Sequence, residues 1–332
     1  MRVQELRHPA PVDTHPLRLA TRAVPTPGSG EVLLRITATG VCHTDLHIAE
    51  GELPPHRKVV VPGHQVVGVV EGAGPGVVLL AGQRVGVTWL YRSCGQCDAC
   101  RRGAENLCAD ARFTGYDVDG GYAEYMVADA RFVYPIPERF TDEEAAPLLC
   151  AGVIGYRALL RADVGAGDRL GLFGFGASAH LAIQVAVYQR CEVFVFTRSE
   201  EHRILATKLG AAWTGSADDT PPRPLDRAIL FAPTGTLIPK ALSALRPGGT
   251  LAINAVYLDR IPEMEYRLLA GERTLRSVSN LTPQDVREFL ELAAAIPVRS
   301  EVERFPLEEA NAALLKLKRR AVKGAAVLVI AT

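Results

Sequence analysis

The stretch "SCGQCDACRRGAENLC", residues 93 to 108, holds four of the chain's seven cysteines: Cys94, Cys97, Cys100 and Cys108. Their spacing lets three thiolates converge from consecutive turns while the fourth closes a tetrahedron, the donor set of a structural zinc site with no open position. Four thiolates around a divalent ion leave two net negative charges, and Arg92, Arg101 and Arg102 lie close enough in sequence to offset them. Disulfides fit less well, because seven cysteines is an odd number for a chain of 332 residues and a reducing compartment disfavours bridges. A closed site does no chemistry by itself. On this loop alone, a zinc-ribbon interaction module is one reading of the chain.

Other residues carry more reactive possibilities. Cys42 in "TGVCHTDLHIAEG", His64 in "VVPGHQVVGVVEG" and Cys150 in "APLLCAG" are too far apart for spacing to group them, and each alone reads as a buried cysteine or a turn histidine. Further on, Gly174, Gly176 and Ala179 form G-x-G-x-x-A between an apolar stretch, expected as a strand over 169–173, and an amphipathic one, expected as a helix over 177–189. In that context the first glycine permits a tight turn, the second lets a pyrophosphate approach the backbone, and the small third residue lets helix meet strand. The phosphates would sit at the positive end of the helix macrodipole. The next apolar run, "CEVFVF", leads to Thr197, Arg198 and Ser199. NAD enzymes of this fold place Asp or Glu there for the ribose hydroxyls. Its absence removes repulsion toward a 2′-phosphate, and Arg198 could bind one, so NADP(H) is favoured over NAD(H).

The rest of the chain must position these groups. With 48% hydrophobic residues it can bury a substantial core, and its length allows two domains. Thirty-seven basic residues balance thirty-seven acidic ones, so no global field draws nucleic acid or an anionic membrane. No stretch approaches the roughly 20 apolar residues of a membrane span, and "MRVQELRHPAPVDTHP" lacks a signal peptide's apolar centre. The cytoplasm is the expected location.

From about Val32 onward the blocks "GVCHTDLH", "VPGHQVVGVV", the four-cysteine loop, "GGYAEY", "LLCAG", the glycine turn and "LRPGGTL" occur in one order. In them the chain resembles the zinc-dependent alcohol dehydrogenases of the medium-chain dehydrogenase/reductase family. The resemblance implies an α/β protein with a GroES-like β-rich catalytic domain, residues 1–150 and 285–332, carrying the zinc loop at 93–109, and a Rossmann doubly wound parallel-sheet domain for the nicotinamide, residues 151–284. It implies two zinc ions per chain, the catalytic one on Cys42, His64 and Cys150. Two thiolates and a neutral imidazole cancel the ion's charge and leave a fourth position for a substrate oxygen. Zinc can lower the pKa of bound water from about 15.7 to roughly 7, and an alcohol in that position responds in the same direction.

The same resemblance gives Thr44 and His47 to a proton relay running by way of the cofactor ribose to solvent, Asp45 to orienting the histidine ligand, His43 to the cofactor pyrophosphate and Trp89 to the substrate pocket. Two positions depart from the family. Gln65 stands where a glutamate behind the zinc is usual, which would leave the zinc more electrophilic, and Ala325 replaces an arginine that touches cofactor phosphates. A small alcohol or its aldehyde or ketone is the implied substrate. A homodimer or homotetramer is the implied assembly, with "GTLAINAV" as a contact strand. A catalytically idle or quinone-reductase-like relative would keep the glycine turn but has no use for Cys42, His64 and Cys150 together.

Local signals fill in the elements. "SEEHRILATKLG" is expected as a helix capped by Ser199 and stopped at Gly210, "DRAILFAP" and "GTLAINAV" as strands, and "ALSALRPGG" as the helix and turn between them. "TPQDVREFLELAAAI", with Thr282 as N-cap and Pro283 at the first helical position, is expected to return the chain to the first domain. "KGAAVLVIAT" reads as a closing strand.

Overall fold

The computed structural model describes residues 1–78, 81–255, 258 and 260–330. The chain divides into two compact units: Met1–Cys150 with Asn280–Ala294 and Arg299–Thr332, and Ala151–Ser279 with Ala295–Val298. The chain thus leaves the first unit after Cys150 and re-enters it at Asn280. No helix among the described residues is long and apolar enough to cross a membrane.

The first unit is built on a β-sheet whose described strands run in the order Val302–Pro306, Ala325–Val329, Glu31–Val41, Gln65–Ala73, Arg84–Val87, Val133–Pro135, with Tyr125–Asp129 also paired to Glu31–Val41. Apart from the parallel pair Val302–Pro306 and Ala325–Val329, the pairings are antiparallel. Its long strand shows why: in "EVLLRITATGV" the side chains of Val32, Leu34, Ile36 and Ala38 are buried while Glu31, Leu33, Arg35 and Thr37 between them are partly exposed. That period of two sends one face into the core, where each large aliphatic contributes about 1.5–3 kcal/mol.

The second unit reads differently. Its described strands lie in the order Trp213–Gly215, Glu192–Phe196, Arg169–Phe173, Leu225–Leu230, Leu245–Ile253, Thr274–Ser277, all parallel. Numbered along the chain this is 3-2-1-4-5-6, the dinucleotide-binding order. After a charged first residue, strands such as Arg169–Phe173 and Glu192–Phe196 are continuous apolar runs buried on both faces, as parallel sheets require.

The expected glycine-turn helix is Ala177–Tyr188, and the expected return helix is Pro283–Ala295. Thr282 caps the latter: its Oγ1 accepts from the Asp285 backbone N–H at 3.2 Å and its own N–H donates to Asp285 Oδ2 at 2.6 Å. Ser199 caps Glu200–Lys208 by accepting from the His202 N–H at 3.3 Å, and Gly210 follows with φ +100°.

Two expectations need correction. "RPGG" is not a free-standing turn but a bulge within the strand Leu245–Ile253, the register jumping from Leu225 opposite Leu245 to Arg227 opposite Thr250, with Gly248 at φ +73°. "GTLAINAV" is not placed for contact with a second chain, since its strand is hydrogen-bonded on both sides, to Leu225–Leu230 and Thr274–Ser277. The edge strands of the sheet, among the described residues, are Trp213–Gly215 and Thr274–Ser277. Val256 of that segment, and Ala331 and Thr332 of the closing one, lie outside the described residues.

Candidate functional site

The first unit brings Cys42, His64 and Cys150 together, with their candidate ligand atoms within 4.8 Å of one another. Each arrives on a different element. Cys42 directly follows the long strand and sits in extended conformation as N-cap of the helix His43–Glu50. His64 precedes the strand Gln65–Ala73, and Cys150 closes a buried 3-10 turn, Ala146–Leu149.

Asp45 fixes this convergence. It is fully buried; its Oδ2 accepts from the Cys42 backbone N–H at 2.9 Å, and its Oδ1 accepts from the Gly63 N–H and from His64 Nδ1, both at 3.1 Å. One carboxylate thereby ties the helix N-terminus to the loop that delivers the histidine. Gly63 is required in that loop: its φ is +97°, and a Cβ would lie 2.4 Å from the Tyr122 ring. With Nδ1 committed to Asp45, His64 Nε2 remains as a buried atom with no hydrogen-bond partner among the described residues. Buried polar atoms are rarely left so. An imidazole nitrogen orphaned beside two thiols, its other nitrogen held by a carboxylate, fits a metal ion.

The electrostatics agree. Hydrogen bonding with Cys150, reinforced by the His64 imidazole, draws the Cys42 thiol well below its ordinary range, and the same pairing pushes Cys150 up. Burial opposes charge on His64, but the Asp45 carboxylate and Cys42 outweigh it and raise the imidazole to about 10. Cys42 is thus the group poised as a thiolate, while Cys150 and His64 hold the protons that a cation must displace.

Around the cluster, Thr44 is buried with its Oγ1 3.8 Å from Cys42 Sγ. His47 pairs through Nδ1 with Glu52. His43 is exposed at the first helical position, its ring 6.4 Å from that of His47. Gln65 is buried, packed against Gly40 so closely that a Cβ there would lie 2.6 Å from Gln65 Oε1. Trp89 stands edge-on to His64, ring centroids 5.0 Å apart, and stacks on Phe113 at 5.1 Å. Tyr116 lies 5.9 Å from Trp89 on the same aromatic surface. Phe113, Tyr116 and Glu52 went unnoticed in the sequence, because a lone aromatic or acid carries no signal until a fold sets it beside a partner.

The second cluster is local. Cys94, Cys97, Cys100 and Cys108 also place their sulfurs within 4.8 Å of one another, around the short helix Asp98–Arg101. Backbone N–H groups turn inward: Cys97 N lies 3.4 Å from Cys94 Sγ and Cys94 N lies 3.5 Å from Cys108 Sγ. The N–H groups of Gln96 and Cys97 lower Cys94 to about 6. Arg92 does not serve the thiolates as its sequence position suggests, because Asp129 and Glu31 take its guanidinium at 2.9 and 3.3 Å. Arg101 pairs with Asp98 at 3.7 Å.

In the second unit, Gly174 has φ +94° and a Cβ there would lie 2.8 Å from Ala232 N, so the turn admits only glycine. Gly176, N-cap of the helix Ala177–Tyr188, is different: a Cβ would meet nothing within 4 Å. Its missing side chain leaves open space over the helix N-terminus, the cradle a pyrophosphate needs. Ala179 is fully buried. At the end of the next strand Thr197 is nearly buried, and its N–H donates to Gly215 O at 2.7 Å. Ser199 N lies 3.4 Å from Thr197 Oγ1. Arg198 is exposed, with no partner among the described residues. Arg203 Nε donates to Thr197 O at 3.1 Å, a second guanidinium that sequence reading did not single out.

Comparison with known proteins agrees with this architecture. Residues 28–138 match the alcohol dehydrogenase GroES-like domain. A probable alcohol dehydrogenase of Mycobacterium tuberculosis is 49% identical over 99% of this chain and 97% of its own length. An alcohol dehydrogenase structure from Aeropyrum pernix superposes with a TM-score of 0.88 at 30% identity, covering 99% of this chain and 100% of that one. The structure of CAD from Helicobacter pylori complexed with NADP(H) gives 0.86 at 26% identity and 99% coverage of both. The chain belongs to the zinc-type medium-chain alcohol dehydrogenases and is an NAD(P)-dependent alcohol oxidoreductase.

Proposed function

We propose that the enzyme interconverts a small alcohol and its aldehyde or ketone, with one zinc held by Cys42, His64 and Cys150 and a second, structural zinc held by Cys94, Cys97, Cys100 and Cys108. The observation that carries this reading is His64: Nδ1 anchored to Asp45 and Nε2 buried without a partner beside two thiols. When bound, zinc supplies Lewis acidity to the substrate oxygen, and the nicotinamide accepts or delivers the hydride.

The protein's own groups do the rest. Asp45 keeps the His64 proton on Nδ1 and so leaves Nε2 as the ligand atom. Cys42 and Cys150 contribute the two negative charges that balance a divalent cation. Trp89, backed by Phe113 and Tyr116, provides an apolar wall beside His64 that excludes water and orients the carbon skeleton of the substrate. Thr44 and His47 carry the alcohol proton toward solvent. Gln65 keeps the space next to the ligand histidine uncharged, so Gln65→Glu is expected to move the pH profile of alcohol oxidation upward. Gly174, Gly176 and Ala179 seat the cofactor pyrophosphate, and His43 also belongs to that binding. The free Arg198 guanidinium, with Thr197 and Ser199 in place of a carboxylate, favours NADP(H). We further propose a cytoplasmic homodimer or homotetramer that uses an edge strand of the second unit, Thr274–Ser277 or Trp213–Gly215.

The test is to follow nicotinamide absorbance with primary and secondary alcohols, aldehydes and ketones, offering each cofactor in turn to the zinc-loaded enzyme. Turnover on this panel, with higher kcat/KM for NADPH, is expected. Turnover restricted to quinones, or insensitive to zinc removal, would overturn the reading.

A further inference from the structure

The helix His43–Glu50 ends on Gly51, whose φ of +80° reverses the chain, and the Leu53 N–H returns to the His47 carbonyl at 3.2 Å. That reversal lays Glu52 back over the last turn, where its Oε2 meets His47 Nδ1. His47 is mostly covered, with 16% of its side chain exposed, whereas Glu52 is 45% exposed. Glu52 is thus the more exposed partner of the pair.

We infer that Glu52 is the positioning residue of the proton relay. The inference rests on the reading of His47 as a relay group. A carboxylate at Nδ1 accepts a hydrogen bond there, which fixes the Nδ1–H tautomer and leaves Nε2 as the nitrogen able to take a proton. The proton released by the alcohol reaches Nε2, the transient positive charge is countered by Glu52 across the ring, and Nε2 then gives the proton to water. One proton leaves the substrate and one appears in solvent, while Glu52 gains and loses none.

The surroundings leave Glu52 to this task. Lys318 also faces it, but Lys318 Nζ donates to Glu50 Oε1 at 2.7 Å. Glu50 is further held by the Val12 N–H at 2.8 Å, and Asp13 lies near the same lysine. On the other side His43 lies 6.4 Å from His47, with Arg320 facing His43. Glu52 is thus a carboxylate in direct contact with the His47 ring. A partly exposed pair of this kind adds little to stability, so its substitution leaves the fold intact.

The experiment combines imidazole 15N NMR of the zinc-loaded full chain at mildly alkaline pH with steady-state kinetics on the wild type, Glu52→Gln, Glu52→Asp, His47→Gln and the double variant Glu52→Gln/His47→Gln. Expected are an Nδ1–H signature for His47 in the wild type, its shift toward Nε2–H in Glu52→Gln, and about a tenfold loss of kcat with little change in KM. Glu52→Asp should restore both readouts, and Glu52→Gln should cost nothing further once His47 is glutamine. An unchanged tautomer in Glu52→Gln, or an equal loss in the His47→Gln background, would overturn the inference while leaving the relay standing. Full turnover in His47→Gln would instead overturn the relay itself and this inference with it.

Discussion

Two cysteine clusters lie in the same unit, and they differ in how the chain assembles them. The Cys94–Cys108 lobe draws four thiols from one short loop, with a four-residue helix and inward backbone N–H groups as its scaffold. The Cys42, His64, Cys150 cluster draws one ligand each from a strand end, a loop and a 3-10 turn, and Asp45 ties two of them together. Local assembly makes a site that, in the proposed reading, a metal would hold together. Assembly by the whole sheet makes a site that the fold prepares in advance, with an orphaned nitrogen waiting for a ligand. The first arrangement suits structure and the second suits catalysis.

Separating the two is the strongest challenge to that contrast. Cys97→Ser should remove the lobe metal and much of the roughly 10 kcal/mol of apparent binding free energy that a structural zinc site adds to folding. Thermal unfolding should show a large fall in Tm, while molecules still folded keep near-normal turnover. His64→Ala should show the opposite weighting, dropping kcat/KM on the order of a thousandfold, about 4 kcal/mol, with a smaller fall in Tm that reflects the buried Asp45 carboxylate left without its imidazole partner. Equal effects of both variants on activity would erase the distinction.

A second pair, of buried histidines, sharpens the point. His64 has Asp45 and is raised to about 10. His180, on the helix after the glycine turn, is just as buried but has neither ring nitrogen partnered among the described residues, and burial lowers it to about 4. An unfolded histidine titrates near 6.5. Above that pH neither state is charged; between about 6.5 and 4 only the unfolded chain gains the proton, so stability falls by on the order of 3 kcal/mol across that window. Urea unfolding at neutral pH and at about pH 4.5 should reveal this loss in the wild type and its near absence in His180→Leu. Parallel pH dependences of the two proteins would contradict the assignment.

The smallest expected effect concerns the cofactor. Arg198→Ala should weaken NADPH about tenfold relative to NADH if the free guanidinium binds a 2′-phosphate through charge-assisted hydrogen bonds. Equal losses for both cofactors, measured by fluorescence titration, would remove the preference.

Much of this was legible before any coordinates. The spacing of the four cysteines and the strand, glycine turn and helix around Gly174 are local patterns, and local patterns survive in one dimension. The trio of Cys42, His64 and Cys150 was legible only through resemblance, because the pairing of Glu31–Val41 with Gln65–Ala73 joins the first two and a buried 3-10 turn delivers the third, and no sequence period records either. Glu52 escaped notice since its role depends on the reversal at Gly51, and Arg92 was misjudged since Asp129 and Glu31 reach it from strands distant in sequence. The contact role of "GTLAINAV" came from resemblance alone; its strand is an interior one, and its continuously apolar end is what a central parallel strand must have.

The central claim is that three distant side chains form one catalytic metal centre beside a separate structural one. Metal analysis of the purified wild type alongside Cys150→Ser, with turnover measured on the same samples, tests it most directly. Two zinc ions per chain in the wild type, one in the variant, and activity lost with the missing ion are the predicted result. A fully active variant, or a wild type that carries metal in the four-cysteine lobe alone, would contradict it.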